Sequence, residues 1–349
     1  MGSSLTIRND PPQPWDKEIW GENLGININT ISNNPSLLTI QDNKQVEAVK
    51  VIKRFKYIPK DLGNVYGSLC DFLVQPISEG GLGLQSDVNF FPFAYDWRKD
   101  NEESAKKLAD FIKNKDQNGN SRFRFIVHSM GGIVTRLMLL DNPKIAERTE
   151  LLFQIASPLL GSAKAYCTLK KRPEFNPIFD LICQTLGNWD KVAQFRTSIM
   201  GFPSVYQLLP PPEIKSLCDR QGNLYSALDD SVWQKHFREY VQQARDVHQR
   251  LKQSQELNTR IRTRCIGSGR YPTPKRYVID PEQDFNLIMR LRRVPLSADG
   301  DDTVTFSSAI AYSVYEPENL IDTEPCKHMT ICHNQEVYNM LKMEWNEDE

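Results

Sequence analysis

The sequence predicts an α/β fold built on a mostly parallel sheet with helices on both of its faces. Between residues 88 and 156, apolar segments of strand length alternate with segments whose apolar residues recur at helical spacing. Strand, helix, strand in this order is typical of parallel sheets, in which each helix crosses over the sheet between two neighbouring strands. The predicted strands are 88–94, 123–127, 151–156 and 260–266, and the predicted helices begin at a cap on Asn101 and directly after Ser129.

The composition of the chain excludes several classes of protein. Among 349 residues, 43 Lys and Arg stand against 44 Asp and Glu, a balance that argues against a nucleic-acid-binding protein. No stretch approaches the ~18 consecutive apolar residues of a membrane span. No apolar segment near the start predicts a secretory signal, so we expect a cytoplasmic protein. The seven cysteines include no CxxC pair, and we expect neither a metal site nor an organic cofactor.

Residues 161–258 interrupt the alternation and are predicted to form a cap inserted between two parts of the core. The apolar residues from Trp233 to Leu251 step by three and four, and Ser231 with Gln234 fits a capping box at the start of a long helix. The apolar face of this helix suits packing onto the core, which we favour, or contact with lipid. The predicted domain plan is a core formed by 1–160 and 259–349, with the cap at 161–258.

The segment from Val127 to Gly131 has the pattern of a sharp turn that presents a nucleophilic serine. Ser129 follows a predicted strand and precedes a predicted helix, and Gly131 occupies the second glycine position of the G-x-S-x-G pattern. Val127 departs from that pattern at its first position, while Gly132 leaves room for the helix to pack against the strand. This context favours a catalytic Ser129 over a structural turn serine.

A nucleophilic serine needs a histidine base, which follows it in the chain order Ser, acid, His. His236 and His248 lie within the predicted long helix, where a packed or solvated imidazole is the simpler interpretation. His328 and His333 lie near the end of the chain, where this order places the base.

Three carboxylates in the turn 298–304 are the leading candidates for the acid. Asp299, Asp301 and Asp302 come after the resumed strand and before the two C-terminal histidines. An acidic turn on its own is more simply explained as solvated surface, but its position in the chain favours a catalytic acid here.

Short motifs occur in a fixed order along the chain: Tyr95-Asp96-Trp97-Arg98, His128-Ser129-Met130-Gly131, the ASPLLGS of 156–162, Leu208-Leu209-Pro210, the GDDTV of 300–304, and Lys327-His328. Together they resemble the motifs of the lecithin:cholesterol acyltransferase-like family. This branch of the α/β-hydrolases includes lysosomal-type phospholipases A and phospholipid:diacylglycerol acyltransferases.

The resemblance implies an α/β-hydrolase fold with an inserted cap and a Ser-Asp-His triad. Carried over by position, it makes Ser129 the nucleophile, Asp301 the orienting acid and His328 the base. Asp302 and His333 are the remaining alternatives for the acid and the base.

The beginning of the chain departs from the family. Residues 1–5, Met-Gly-Ser-Ser-Leu, resemble a family loop that an apolar strand and a Pro-Gly pair precede, and both are absent here. In the family, the residue before this Met provides the second N–H donor for the oxyanion, and the backbone of Met130 would provide the first. We expect that the N-terminal strand is missing because the start of the chain was assigned too late.

The resemblance implies acyl transfer from a lipid-like ester through an acyl-Ser129 intermediate, with water or an alcohol as acceptor. The alternatives are a pseudo-hydrolase that acts as a binding protein and a soluble carboxylesterase for small esters. The expected partners are the lipid or other ester substrate and, transiently, a membrane surface. No nucleic acid is expected as a partner.

Overall fold

A computed structural model of the chain describes residues 2–8, 17–40, 46–57, 60–170, 189–279, 297–312, 320–321 and 326–346. The strands are β1 (Ser3–Ile7), β2 (Lys17–Trp20), β3 (Val46–Val51), β4 (Arg54–Tyr57), β5 (Lys60–Asn64), β6 (Phe123–His128), β7 (Thr149–Ile155), β8 (Leu217–Cys218), β9 (Leu224–Tyr225), β10 (Arg262–Ser268), β11 (Tyr271–Pro274), β12 (Tyr277–Val278), β13 (Ser297–Gly300) and β14 (Leu320–Ile321). The helices are α1 (Leu24–Asn33), α2 (Gly67–Val74), α3 (Asn101–Lys115), α4 (Met130–Asp141), α5 (Pro143–Ala146), α6 (Ala163–Lys170), α7 (Trp189–Met200), α8 (Pro203–Tyr206), α9 (Arg238–Gln253), α10 (Phe306–Ala309) and α11 (Gln335–Asn346).

The contacts within the chain divide it into two units. The first comprises Met1–Trp97, Thr185–Ser198 and Met329–Glu349, and the second comprises Arg98–Gln184 and Ile199–His328. No helix in the described part of the chain has the length and apolar composition needed to cross a membrane.

The second unit contains a parallel sheet in the order β14-β10-β7-β6. Three of its strands, β6, β7 and β10, overlap the predicted strands 123–127, 151–156 and 260–266. β7 lies inside the sheet and is almost wholly buried, whereas β6, at the edge of this sheet in the described residues, is half-buried over its whole length. The prediction of a mixed α/β fold with a parallel sheet is therefore confirmed.

A buried arginine fixes α4 against β7 in the second unit. Arg136 is fully buried, and its Nε donates a hydrogen bond to Gln154 Oε1 at 2.7 Å. Its Nη1 donates to the carbonyl and the hydroxyl oxygens of Ser254, each at 3.2 Å, and its Nη2 donates to Asn258 Oδ1 at 3.2 Å. Burial lowers the pKa of this guanidinium, because the charged form loses hydration. These donors therefore attach α4 to the sheet below it.

The first unit is built on an antiparallel sheet in the order β2-β1-β3. Ser3–Ile7, part of which resembles a family loop, forms the central strand of that sheet. Trp97 packs against Trp20 with ring centroids 5.2 Å apart, and its indole N–H donates to the carbonyl of Ser3 at 3.2 Å. The Tyr-Asp-Trp-Arg motif therefore stabilises the first strand through its tryptophan.

The predicted strand 88–94 is wrong. The segment begins with a tight turn, in which the carbonyl of Gln85 accepts hydrogen bonds from the N–H groups of Asn89 and Phe90. Val88 lies at the tip of this turn and is 67% exposed. The apolar composition of this run predicts a buried strand, but local hydrogen bonds at its start take up the backbone groups that a strand would offer to a neighbour.

The starts of two predicted helices also differ. The cap of α3 is Asp100, whose Oδ1 accepts the N–H of Glu102 at 2.6 Å, and Asn101 instead bonds to Gln207 Oε1 at 2.8 Å. The long helix α9 begins at Arg238 rather than at Ser231, because Asp229 accepts hydrogen bonds from both the N–H and the hydroxyl of Ser231 and caps a short 3₁₀ turn. The apolar face of α9 is buried as the spacing predicted.

Gly161 allows two of the motifs to touch. It has a φ of +70°, and a Cβ at this position would lie 2.5 Å from the carbonyl oxygen of Leu209. The next residue, Ser162, donates its N–H to the carbonyl of Leu208 at 2.7 Å. Only glycine offers both the left-handed backbone and the space that this approach requires.

We expect Gly161→Ala to lower the free energy of unfolding by about 3 kcal/mol, of which roughly 1 kcal/mol comes from the left-handed backbone and the rest from overlap with Leu209. The matched control is Gly119→Ala, because Gly119 has a φ of +68° but nothing within 4 Å of its Cβ position. This control should lose only about 1 kcal/mol. Urea denaturation followed by circular dichroism measures both losses, and equal losses would contradict the packing argument.

Candidate active site

Ser129 sits on the turn between β6 and α4 in a backbone conformation that serine rarely adopts. Its φ is +55° and its ψ is −130°. Its N–H donates to the carbonyl of Ile155 at 3.0 Å, and its own carbonyl accepts the N–H of Gly132 at 3.0 Å. A strained residue of this kind costs about 1–3 kcal/mol, and the surrounding structure must hold it in place. Strain of this type is found where a side chain is presented for chemistry.

The two glycines after Ser129 have different roles. A Cβ on Gly132 would overlap the hydroxyl of Ser157 and lie 2.6 Å from Gln154 Nε2, so α4 approaches β7 only because Gly132 has no side chain. A Cβ on Gly131 would meet only Val127, at an ordinary contact distance of 3.7 Å. Val127, the departure from the G-x-S-x-G pattern, is therefore accommodated without overlap.

His328 lies between Ser129 and Asp301 and bonds to both. Its Nε2 is 2.8 Å from Ser129 Oγ, and its Nδ1 is 2.7 Å from Asp301 Oδ2. In the neutral tautomer that satisfies both contacts, Nδ1–H donates to the carboxylate and Nε2 accepts the serine hydroxyl proton. The structure thus joins Ser129, His328 and Asp301, the three residues predicted from the sequence, in one hydrogen-bonded chain.

The carboxylate of Asp301 is held in place by hydrogen bonds from its own turn. Its second carboxylate oxygen, Oδ1, accepts the N–H groups of Thr303 at 2.9 Å and Val304 at 2.7 Å. Its carbonyl accepts the backbone N–H of His328 at 2.9 Å, so the main chains of the acid and the base are joined as well as their side chains. Asp301 is only 1% exposed, and these donors replace the water that a buried carboxylate would otherwise need.

The alternative acid and base are bonded elsewhere. Asp302 forms an ion pair with Lys164, with Nζ 3.1 Å from Oδ1. His333 Nε2–H donates to the carbonyl of Val65 at 3.1 Å, and burial lowers the pKa of this ring. Asp299 is exposed in β13, two residues before Asp301.

The two histidines predicted to lie in the long helix have different environments: His248 is in α9, whereas His236 is exposed in a 3₁₀ turn before it. His248 is buried in α9, and its Nε2–H donates to the carbonyl of Leu209 at 2.6 Å. Burial lowers the pKa of His248 to about 4, so the ring is neutral at physiological pH. The ring of His236 lies against that of its neighbour Phe237, with centroids 3.9 Å apart.

Three further residues shape this site, and sequence reasoning did not assign them a role. His128 Nε2–H donates to the carbonyl of His328 at 3.1 Å, and the two rings are 4.8 Å apart. The hydroxyl of Ser162 donates to the carbonyl of Thr303. The hydroxyl of Ser308 donates to the carbonyl of Gly161 at 2.8 Å. His128 and Ser162 lie inside two of the family motifs, and that position was the only signal in the sequence that they matter. The contacts themselves cannot be read from the order of residues in the chain.

Met130 is the first residue of α4, and its side chain is buried. An N–H at this position of a helix has no acceptor within the helix, and the helix dipole favours negative charge in front of it. The backbone at Met130 is therefore suited to bind an oxyanion. Within the described residues, no group of three or more His, Cys, Asp or Glu side chains is placed to hold a metal ion.

Comparison with known proteins decides the family. The family model of lecithin:cholesterol acyltransferase matches residues 31–210, which is just over half of the chain. This chain belongs to the lecithin:cholesterol acyltransferase family. The resemblance drawn from the motifs is thereby confirmed. The match includes Ser129 but ends before Asp301 and His328, whose assignment depends on the geometry described above.

Two further comparisons concern the curated proteins and the solved structures. No curated protein matches the chain. A chain from the crystal structure of the Tle4–Tli4 complex is similar over 100% of this chain and 97% of its own length, with 13% sequence identity and a TM-score of 0.56. At this identity the similarity concerns the fold alone. A member of the lecithin:cholesterol acyltransferase family can therefore share its fold with a protein of very different sequence.

We expect Gly132→Ala to lower the free energy of unfolding by about 2–3 kcal/mol, because its Cβ would overlap Ser157 beneath the serine turn. Gly131→Ala provides the matched control in the same helix, since its Cβ meets only Val127 at van der Waals distance. That control should be neutral or stabilising by up to ~1 kcal/mol, because alanine favours helix over glycine. Denaturant unfolding of the two variants measures the difference, and a reversed order of stability would contradict this packing.

Proposed function

We propose that this member of the lecithin:cholesterol acyltransferase family is an α/β-hydrolase that transfers an acyl group through an acyl-serine intermediate. Ser129 is the nucleophile, His328 the general base and Asp301 the acid that orients the base. The single observation that carries the proposal is the hydrogen-bonded chain from Asp301 through His328 to Ser129, with distances of 2.7 and 2.8 Å. The order of these three residues in the chain is also that of α/β-hydrolases.

The first half of the reaction acylates the enzyme. His328 Nε2 takes the proton of Ser129 as Oγ attacks the carbonyl carbon of the ester. The backbone N–H of Met130 donates to the oxyanion of the tetrahedral intermediate. His328 then returns the proton to the leaving alcohol, and Asp301 stabilises the imidazolium while it exists. The product of this half-reaction is an acyl ester on Ser129.

The second half transfers the acyl group to an acceptor. His328 removes a proton from water or from an alcohol, whose oxygen attacks the acyl-Ser129 ester, and Ser129 leaves with the proton. Water gives a phospholipase or lipase, and an alcohol gives an acyltransferase. Family membership supports a lipid-like ester as the acyl donor, taken from a lipid surface that the enzyme contacts transiently. In this proposal residues 161–258 form the cap over a core made of 1–160 and 259–349.

A fluorophosphonate probe tests the nucleophile, because it reacts with activated serine hydroxyls. We expect the wild-type protein to be labelled and Ser129→Ala to be unlabelled. His328→Gln and Asp301→Asn should slow labelling by about 10³-fold or more, since each breaks the chain that activates Ser129. Asp299→Asn is the matched control and should label at the wild-type rate, because this carboxylate is exposed in β13, two residues before Asp301.

Two outcomes would overturn this assignment. A folded wild-type protein that the probe does not label would favour a binding protein without turnover. A rate loss for Asp302→Asn as large as that expected for Asp301→Asn would show that the acid is misassigned.

A series of nitrophenyl esters tests the substrate class. We expect kcat/KM to rise by at least about tenfold from acetyl to octanoyl or longer chains, because each buried methylene contributes roughly 0.8 kcal/mol to binding. Ser129→Ala is the background control for all esters. Activity confined to acetyl esters would exclude a lipid-like donor and favour a small-ester carboxylesterase. Product analysis in the presence of a long-chain alcohol then separates hydrolysis from transfer to an alcohol.

A further inference from the structure

A buried lysine ties α6 to the turn that carries Asp301. Lys164 Nζ lies 3.1 Å from Asp302 Oδ1, although Lys164 is only 7% exposed. Two residues earlier, Ser162 donates its hydroxyl proton to the carbonyl of Thr303. The two residues that follow Asp301 are therefore each bonded to the start of α6 or to the residue before it.

The backbone at Asp302 is fixed by its own contacts. Its φ is +75°, a region in which Asp and Asn are enriched among residues with a Cβ, and its N–H donates to Thr273 Oγ1 at 2.9 Å. Its side chain is about half exposed, and it belongs to the residue next to Asp301, whose carboxylate bonds to His328. A cation beside Asp302 compensates the negative charge of its carboxylate.

Other charged and titratable groups on the neighbouring elements have contacts of their own. Asp301 bonds to His328, and Lys327 Nζ lies 5.5 Å from the ring centroid of Tyr271 in β11. Asp299, in β13, is exposed to solvent. Lys164 is the cation that the described residues place within ion-pair distance of Asp302.

We propose that Lys164 is a positioning residue for this site, which holds Asp302 and balances its charge so that His328 is oriented and polarised by Asp301 alone. Lys164 acts through Asp302 and the turn, and it does not touch the reacting atoms. The proposal rests on the proposed function for its effect on catalysis, because that effect is transmitted through the base His328.

The sign of the effect follows from electrostatics. Without Lys164, the unbalanced Asp302 stabilises the protonated imidazole, so a higher pH is needed to generate the neutral base. Without the Asp302 charge, the unbalanced Lys164 disfavours the protonated imidazole, and a lower pH suffices. One uncompensated charge within ~10 Å in a partly solvated site shifts a titration by about half a pH unit.

The test compares four proteins: wild type, Lys164→Met, Asp302→Asn and the double variant. Methionine keeps the length of the lysine side chain, and asparagine tolerates the left-handed backbone at position 302. Lys113→Met, which removes an exposed lysine from α3, controls for the change in net charge. The pH dependence of fluorophosphonate labelling is measured for each protein, and the titration of the His328 ring is followed by NMR, with the resonance assigned from His328→Gln.

We expect the midpoint pH to rise by about 0.5 in Lys164→Met, to fall by a similar amount in Asp302→Asn, and to return to within about 0.2 of wild type in the double variant. Lys113→Met should not move it. Shifts in the same direction, no shift in either single variant, or a double variant that does not return would overturn the proposal. A merely structural role would slow labelling without opposite shifts.

The test still decides the role of Lys164 if one variant does not fold or if the probe does not label the wild-type protein. If Lys164→Met does not fold, the comparison of Asp302→Asn with the double variant still measures the effect of Lys164, because both lack the Asp302 charge. The double variant should then have the higher midpoint of the two. If the probe does not label the wild-type protein, the proposed function fails, but the NMR titration of His328 still decides the role of Lys164.

Discussion

The candidate site depends on the hydrogen bond between His328 Nδ1 and Asp301 Oδ2. It joins two residues 27 positions apart, both of them buried, so neither group exchanges this partner for water. The bond selects the tautomer that leaves Nε2 free to accept the proton of Ser129. A buried carboxylate is costly unless donors surround it, and the N–H groups of Thr303 and Val304 meet that need on its other oxygen.

Four of the family motifs, all in the second unit, are parts of one packed and hydrogen-bonded assembly. The glycine of the ASPLLGS motif approaches the Leu-Leu-Pro segment, the serine after it bonds to the GDDTV turn, and that turn bonds to the histidine. His248 adds a further bond from α9 to the Leu-Leu-Pro segment. Motifs that are spread over more than 170 residues of sequence therefore lie next to one another in the second unit.

The strained backbone of Ser129 is held in place by the packing of α4 against β7. The left-handed conformation of Ser129 places its hydroxyl beyond the end of β6, and α4 must then lie close against β7. Gly132 permits that approach over Ser157 and Gln154, and the buried guanidinium of Arg136 holds the same glutamine from within the helix. Because β6 is half-buried and has β7 as its one partner strand among the described residues, the turn is supported mainly from the β7 side.

The sequence by itself determined the elements whose signals are local. The apolar runs that became β6, β7 and β10, the serine between a strand and a helix, and the buried face of α9 all follow from spacing and residue type. The turn at 85–90 and the caps at Asp100 and Asp229 depended on competition between neighbouring side chains for backbone groups, and simple periodicity missed them. Only the tertiary structure decided that Asp301 rather than Asp302 bonds to His328, and that His333 bonds to Val65. The physical reason is that these contacts join residues far apart in the chain, and the packing of the elements between them sets which groups meet.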